Sequence, residues 1–157
     1  MKMAHFAKIG MDNVVLAVLA MDTVDTMTRG GIEKEEIGVA HLVKHHGHEC
    51  WKKCSYNSRA GVHYDAETGE PSGKPGFRAN YPGIGWYYNS EHDIFHPAKP
   101  EGCDSWTLNT TTGMWDAPIP QPVITAEQRD ANYGYYRWDE TAYQADNTTG
   151  WVLVTPE

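Results

Sequence analysis

The sequence predicts a mainly β protein with one short helix, in the α+β class, in which an N-terminal hairpin and helix precede serial aromatic β-hairpins in an extended arrangement. Three observations support this: apolar segments flank an early turn, one stretch has helix signals, and the C-terminal half repeats an aromatic hairpin pattern. We expect a hairpin, helix and strand unit over residues 1–57, a glycine-rich loop or arm over 58–80, and three aromatic hairpins joined by proline-rich links over 81–157.

Two strands around a polar turn predict the N-terminal hairpin. Phe6–Ile9 precedes the turn Gly10–Asn13, and the run of β-branched and aliphatic residues Val14–Met21 follows it. Because that run has no polar alternation, we expect its strand to be buried on both faces.

A single helix is predicted over Glu33–His46. Glu35 and Glu36 enrich its first turn, where carboxylates complement the positive helix end, and Gly47 is a natural stop. Its apolar side chains form one broad stripe that should lie on a sheet. The stripe comprises Ile37, Val39, Ala40, Leu42 and Val43.

A strand and a long loop follow this helix. Cys50–Tyr56 has strand composition, whereas 58–80 is rich in glycine and has few large apolar residues besides Tyr64 and Phe77. A loop of that length inside a domain is usually functional, so we interpret it as an arm that would lie on a neighbouring subunit.

The C-terminal half contains a degenerate repeat of an aromatic strand, an Asn or Asp that opens a turn, and a return strand with an aromatic residue. Prolines separate the units and prevent continuous sheet pairing. The three units are Trp86-Tyr87-Tyr88-Asn89 before Ile94-Phe95, Trp106-Thr107-Leu108-Asn109 before Met114-Trp115, and Tyr136-Arg137-Trp138-Asp139 before Gly150-Trp151-Val152.

Charge and hydropathy exclude several classes of partner. The net charge of -8 and the lack of a basic stripe argue against direct nucleic-acid binding. The most apolar run, Val14–Met21, is far shorter than the ~20 residues that span a bilayer. Three cysteines are too few for a disulfide scaffold, which favours synthesis in a reducing cytoplasm.

The densest cluster of chemically versatile side chains lies within residues 41–54. His41 and His45 are four residues apart on the predicted helix and therefore share one face. No common zinc signature matches the spacing, so a solvated histidine cluster and a structural zinc site are both open. The candidate ligands are His41, His45, His48 and Cys50. We expect no other cofactor.

Catalytic patterns are weak. No serine lies in a Gly-x-Ser-x-Gly elbow. Asp104, Asp116 and Asp139 with Glu140 could form a glycosidase carboxylate pair, although acidic turn residues explain them more simply. We therefore expect that the chain is not an enzyme.

Aromatic side chains of the hairpins are the main candidates for an interface. Indole rings stack on sugars, but they more often form hairpin cores and protein interfaces. The predicted interface residues are Trp86, Tyr88, Phe95, Trp106, Trp115, Trp138 and Trp151.

The order of these segments is similar to that of a known family. The matching motifs are Met3-Ala4-His5-Phe6-Ala7-Lys8, Cys50-Trp51-Lys52 with Ser55-Tyr56-Asn57, Asn80–Tyr88, Ser105–Asn109 with Trp115-Asp116-Ala117-Pro118, and Tyr136–Glu140 with Gly150-Trp151-Val152. Together they resemble small virion structural proteins of marine tailed phages, especially those that infect cyanobacteria. The chain departs from the pattern in residues 41–48, at Cys54 and in the insertion between Trp138 and Trp151.

The resemblance implies a virion component without catalytic residues, made in the host cytoplasm. It favours a capsid decoration or knob protein that binds the major capsid protein or other virion proteins and associates with itself. A tail fibre or baseplate accessory protein that binds a receptor or glycan is the alternative. A carbohydrate-active enzyme is a third hypothesis, to which the lack of an evident acid and nucleophile pair is the objection.

Overall fold

The computed structural model describes residues 2–130 and 134–155. Over these residues it contains twelve strands in small antiparallel sheets, three α-helices and two short 3-10 helices, which confirms the predicted mainly β class. The chain divides into two compact units, unit 1 with residues 1–98 and 109–114 and unit 2 with residues 99–108 and 115–157. Residue 1 of the predicted N-terminal part and residues 131–133 and 156–157 of the predicted C-terminal part lie outside the described residues.

Unit 1 is built on a three-stranded antiparallel sheet. Its strands are β1 (Met3–Ile9), β2 (Val15–Asp22) and β3 (Trp51–Cys54), in the order β2-β1-β3. The predicted N-terminal hairpin is therefore confirmed. The expectation that its second strand is buried on both faces is wrong, because Leu16 is 47% exposed and Ala20 is also exposed at the sheet edge.

One face of this sheet is covered by α1 (Glu35–His46), close to the predicted helix. Leu42 packs in a core cluster with Phe6 and Trp51. Gly38 is buried at this contact, where an added methyl group would collide with the Phe6 ring. The helix thus approaches the sheet closely because residue 38 has no side chain.

The opposite face packs on the first aromatic hairpin. Ala7, Ile9 and Val15 of the sheet form a core cluster with Tyr88 and Phe95. Each face of the small sheet therefore carries a core cluster within unit 1, while Leu16 and Ala20 of β2 stay exposed.

The segment predicted as a loop over 58–80 contains a second small sheet. Its strands are β4 (Ser58–Arg59), β5 (Val62–Tyr64) and β6 (Pro71–Pro75). A turn closed by the backbone bond from Gly69 N to Asp65 O, at 2.8 Å, joins β5 to β6. The prolines at both ends of β6 fit an edge strand, where a missing backbone donor is tolerated.

The first two predicted aromatic hairpins are present. Asn89 and Asn109 each open their turn by accepting backbone N–H bonds, at 3.0 Å from His92 and at 3.0 Å from Thr111. The side chains thus supply the turn chemistry that the sequence predicted. The strands are β7 (Tyr87–Asn89), β8 (Ile94–His96), β9 (Thr107–Asn109) and β10 (Met114–Asp116).

Unit 2 contains the third hairpin. In it β11 (Tyr135–Trp138) pairs with β12 (Trp151–Val154), so that Trp138 faces Trp151 across the strands. The connection, predicted as a loop, contains α3 (Glu140–Ala145), and α2 (Ala126–Asp130) precedes the hairpin. None of the helices in the described part of the chain has the length and apolar character needed to cross a membrane.

Candidate binding surfaces and side-chain clusters

The predicted interface residues of unit 1 lie mostly in its core. Phe95 is fully buried and Tyr88 is 7% exposed, and both belong to the cluster that packs on the sheet. Trp86 is partly buried against the same cluster. In this fold the rings of Phe95 and Tyr88 therefore serve internal packing and offer almost no surface to a partner.

Three of the predicted indoles meet in unit 2. The ring centroids of Trp106 and Trp151 are 5.8 Å apart, those of Trp138 and Trp151 are 5.2 Å apart, and Tyr143 of α3 lies 5.3 Å from Trp138. Edge-to-face and tilted arrangements at these distances are favourable for aromatic pairs. These three indoles and the Tyr143 ring, which we call the indole cluster, are all partly buried in unit 2.

Glu140 binds the indole cluster to the loop before β9. Its carboxylate accepts bonds from Trp138 Nε1 at 2.8 Å, from the hydroxyl of Ser105 at 2.8 Å and from Gln144 Nε2 at 2.8 Å. The bonds from Trp138, Gln144 and Ser105 lower the pKa of Glu140 to about 2. The carboxylate is therefore an ionised structural acceptor at neutral pH.

The other carboxylates considered for a glycosidase pair have different surroundings. Asp139 caps α3 by accepting the N–H of Ala142 at 2.9 Å. Asp104 and Asp116 are exposed, and Asp116 lies beside Trp115 in a cleft. Two of the four acidic groups thus have identified structural tasks within unit 2.

A shallow cleft of about 490 Å³ lies beside the indole cluster. Trp106, Trp115 and Trp151 line it, together with Asp116 and Gln121. Trp115 is half-buried, and Lys99 Nζ lies 5.3 Å from its ring centroid. Binding sites for sugars or for a protein segment commonly combine aromatic faces with neighbouring polar side chains, as this cleft does.

A larger cavity of about 590 Å³ opens in unit 1. Three exposed apolar side chains line it, namely Met3 at 42%, Tyr56 at 71% and Phe77 at 41% exposure. His5 and Lys53 contribute polar groups to its wall. This apolar cavity is suited to an apolar side chain of another molecule.

Next to the apolar cavity, Arg78 organises an ion-pair network. Its guanidinium donates to Glu35 at 2.7 Å, to Asp93 at 2.7 Å and to the carbonyl of Lys53 at 2.8 Å. Burial alone would lower the pKa of Arg78, but its bonds to the two carboxylates outweigh burial and raise it. Tyr88 donates to Asp93, and burial together with this bond raises the pKa of Tyr88 to about 12.

The candidate metal ligands are not gathered into one site. The rings of His41 and His45 are close, with centroids 4.4 Å apart, but His48 Nε2 lies 2.6 Å from the carbonyl oxygen of Ile9. Cys50 is an exposed free cysteine. Within residues 2–130 and 134–155, no three His, Cys, Asp or Glu side chains form a group that could hold a metal ion.

Cys54 is buried in the core of unit 1. Burial raises the pKa of its thiol to about 12, with Arg78 opposing and Glu35 adding to this effect. The thiol is therefore protonated at neutral pH and packs as a small apolar side chain.

Two features were missed by sequence reasoning. One is Arg78, a single basic residue in the predicted loop that no motif distinguishes. The other is the recurrence of the side-chain-closed turn at Asp65 and Asp146, which accept backbone N–H bonds from Glu67 and Thr148 at 2.9 Å each. The signal for the turns was an Asp or Asn followed within five residues by Thr-Gly.

Comparison of the chain with protein-family models, curated proteins and solved structures found no match.

Proposed function

We propose that this chain is a non-enzymatic structural protein of a tailed bacteriophage particle, bound to the head as a capsid decoration protein. The resemblance along nearly the whole chain motivates the proposal, and the apolar cavity of unit 1 is the observation that carries it. Met3, Tyr56 and Phe77 expose apolar surface around one concavity, which a subunit contact would remove from water.

The mechanism is stabilisation by mass action. A decoration protein binds the assembled shell better than its separate subunits and thereby favours the assembled state. An apolar side chain of a capsid subunit in the cavity would contribute ~25 cal/mol for each Å² of apolar surface buried. Because the contact repeats over the lattice, a small footprint per copy suffices.

The acidic side chains with lowered pKa values are engaged in contacts inside the protein, as expected for a structural protein. Glu140 and Asp93 both have lowered pKa values, and each holds hydrogen bonds within its own unit. Cys54 is a core thiol. The contacts of these three side chains stabilise the folded units, which is compatible with a structural protein that catalyses no reaction.

Counting copies in purified phage particles by quantitative mass spectrometry tests the proposal. We expect hundreds of copies per particle, whereas small multiples of six would indicate the symmetric tail, and absence from particles would refute a virion role. Genome-encoded Tyr56→Ser and Phe77→Ser should lower the copy number. Ile84→Ser, which changes a 76% exposed side chain not among those lining the cavity, is the matched control.

Variants of the predicted indole interface form a second arm of that experiment. Trp115→Ala removes a ring that lines the cleft of unit 2, and Trp106→Ala also opens the indole cluster. We expect reduced incorporation for both if the cleft contacts a virion subunit. Unchanged copy number for both variants would count against a contact at this cleft.

A receptor- or glycan-binding tail accessory protein is the second candidate, favoured by the same cleft. Sugars bind aromatic faces through their C–H surfaces and polar neighbours through their hydroxyls, and Trp115 with Asp116 offers both. A glycan array probed with the full chain would test this. Binding lost in Trp115→Ala and kept in Tyr135→Ala, which changes an exposed aromatic residue of unit 2 that does not line the cleft, would support it.

A further inference from the structure

The two edges of the central sheet of unit 1 differ in how their backbone groups are satisfied. The sheet order β2-β1-β3 leaves one side of β2 and one side of β3 without a strand neighbour. Unpaired edges of this kind are templates for pairing with another strand unless they are protected.

Side chains close the β3 edge. The backbone N–H of Lys53 donates to Glu35 Oε1 at 2.8 Å, and its carbonyl accepts from Arg78 at 2.8 Å. Lys52 and Lys53 also place two lysines on this strand, a common protection against strand addition. A further strand therefore cannot pair at β3 without breaking the Arg78 network.

The register of β2 shows which of its backbone groups face outward. Thr23 N donates to Lys2 O at 3.1 Å, and Met21 lies opposite Ala4 in β1. Because the groups of an antiparallel strand alternate, Leu19 and Met21 bond to β1, whereas Val18 and Ala20 point their N–H and C=O away from it.

Only the start of the outer side of β2 has a backbone partner in the described part of the chain. Val15 N donates to Trp86 O at 2.7 Å and Val15 O accepts from Gly85 N at 2.9 Å. On its inner side, β2 has a register shift against β1 between the pairs Ile9–Val15 and Lys8–Ala17. Beyond Val15, as far as Ala20, no described residue bonds the outward groups of the strand.

The open part of β2 also lacks the usual protection. Val14–Met21 contains no charged residue and no proline, in a chain whose net charge is -8. Leu16 is 47% exposed and Ala20 is exposed, so the edge has no bulky cover. An uncharged, accessible edge is a competent pairing surface.

We infer that β2 is a homodimer interface, at which the outward groups of Val18 and Ala20 pair with the same groups of a second copy. A two-fold axis through Leu19 sets Val18 of each copy opposite Ala20 of the other, a large residue beside a small one. The antiparallel pair forms one continuous six-stranded sheet. No like charges meet within the paired segment, since it has none.

Sedimentation velocity on the full chain over a range of concentrations tests this inference. We expect a monomer–dimer equilibrium for the wild type. Ala20→Pro removes an outward donor and leaves the bonds to β1, so the dissociation constant should rise about tenfold or more. Ala20→Lys adds a charge at the edge and should have the same effect, while Ala40→Lys, at an exposed alanine of α1, should dimerise as the wild type does.

Circular dichroism of each variant shows whether the monomer is folded. Raised salt should tighten the wild-type dimer, because two copies of net charge -8 repel each other. A wild type that stays monomeric at every concentration, or folded Ala20 variants that dimerise unchanged, would overturn the inference. Head incorporation is measured separately, so failure here leaves the proposed function standing.

Discussion

Arg78 Nη1 lies 2.7 Å from Glu35 Oε1 and so ties the first turn of α1 to the segment before the first aromatic hairpin. The Arg78 side chain is only 10% exposed, whereas that of Glu35 is 28% exposed. The same carboxylate oxygen also accepts the N–H of Lys53 on β3. Together with the bond from Arg78 to Asp93 in the hairpin turn, this ion pair therefore connects α1, the β3 edge and the first aromatic hairpin of unit 1.

Replacing Arg78 should destabilise unit 1. Arg78→Ala leaves Glu35 and Asp93 without their cation, and we expect a loss of about 2 kcal/mol in the free energy of unfolding, since both carboxylates keep partial access to water. Arg78→Lys should restore little of the lost stability, because the ammonium group of lysine lacks the planar array of N–H donors with which the guanidinium reaches both carboxylates. Urea unfolding measures this, with the exposed Arg29→Ala as control. Equal midpoints for Arg78→Ala and the control would contradict it.

Unit 2 should become less stable in acid because of Glu140. Its carboxyl pKa is about 2 in the folded chain against 4.5 as the reference. Since folding lowers this pKa, the stabilisation is complete above about pH 4.5 and is lost as the pH falls toward 2. Tryptophan fluorescence of the indole cluster should report the transition, and Glu140→Gln should reduce its pH dependence. Glu101→Gln, an exposed glutamate of the same unit, is the control. An identical acid profile for the wild type and Glu140→Gln would refute this role.

The close approach of α1 to the sheet depends on Gly38. Gly38→Ala places a methyl group against the Phe6 ring, and we expect a loss of about 1–3 kcal/mol despite the better helix propensity of alanine. Gly30→Ala is a matched control, since its Cβ would meet only Thr28 Oγ1 at 3.8 Å. Thermal and urea unfolding compare the two. A stabilised Gly38→Ala would show that the helix moves away freely.

Asn80 should be intolerant of aspartate. Its buried amide donates to the carbonyl oxygens of Phe95 at 2.9 Å and Thr112 at 3.0 Å, while its oxygen accepts from Ala60 N at 2.7 Å. A carboxylate would face the two carbonyls without a proton to donate, at a cost of about 3 kcal/mol or more. Asn147→Asp, at an exposed turn position, makes the same change as control. Calorimetry that finds equal melting temperatures for the two variants would contradict this expectation.

The N-terminal hairpin, α1 and the aromatic hairpins were predictable, because their signals are local. Alternating apolar residues, carboxylates in the first turn of α1 and the turn residues Asn89 and Asn109 each act within a few positions. Besides the turns at Asp65 and Asp146, one more local signal was overlooked. Thr125 and Gln128 form a reciprocal capping box at the start of α2, with bonds of 2.9 and 3.2 Å.

Side-chain partners distant in sequence were not predictable. Arg78 and Glu35 are 43 positions apart, and Ser105 and Glu140 are 35 positions apart. Nothing in the sequence spacing of these two pairs distinguishes them from any other combination of polar residues in the chain. Tertiary contacts also decide that Phe95 is buried and that the predicted metal ligands do not come together, so neither result could be predicted from the sequence.

The turn at Asp65–Gly69 has a practical consequence for protein engineering. Its tip is exposed throughout, and the bonds of Asp65 to the N–H groups of Glu67 and Thr68 close it without help from the core. Foreign epitopes or fluorophore tags grafted between β5 and β6 should therefore leave the remaining scaffold intact.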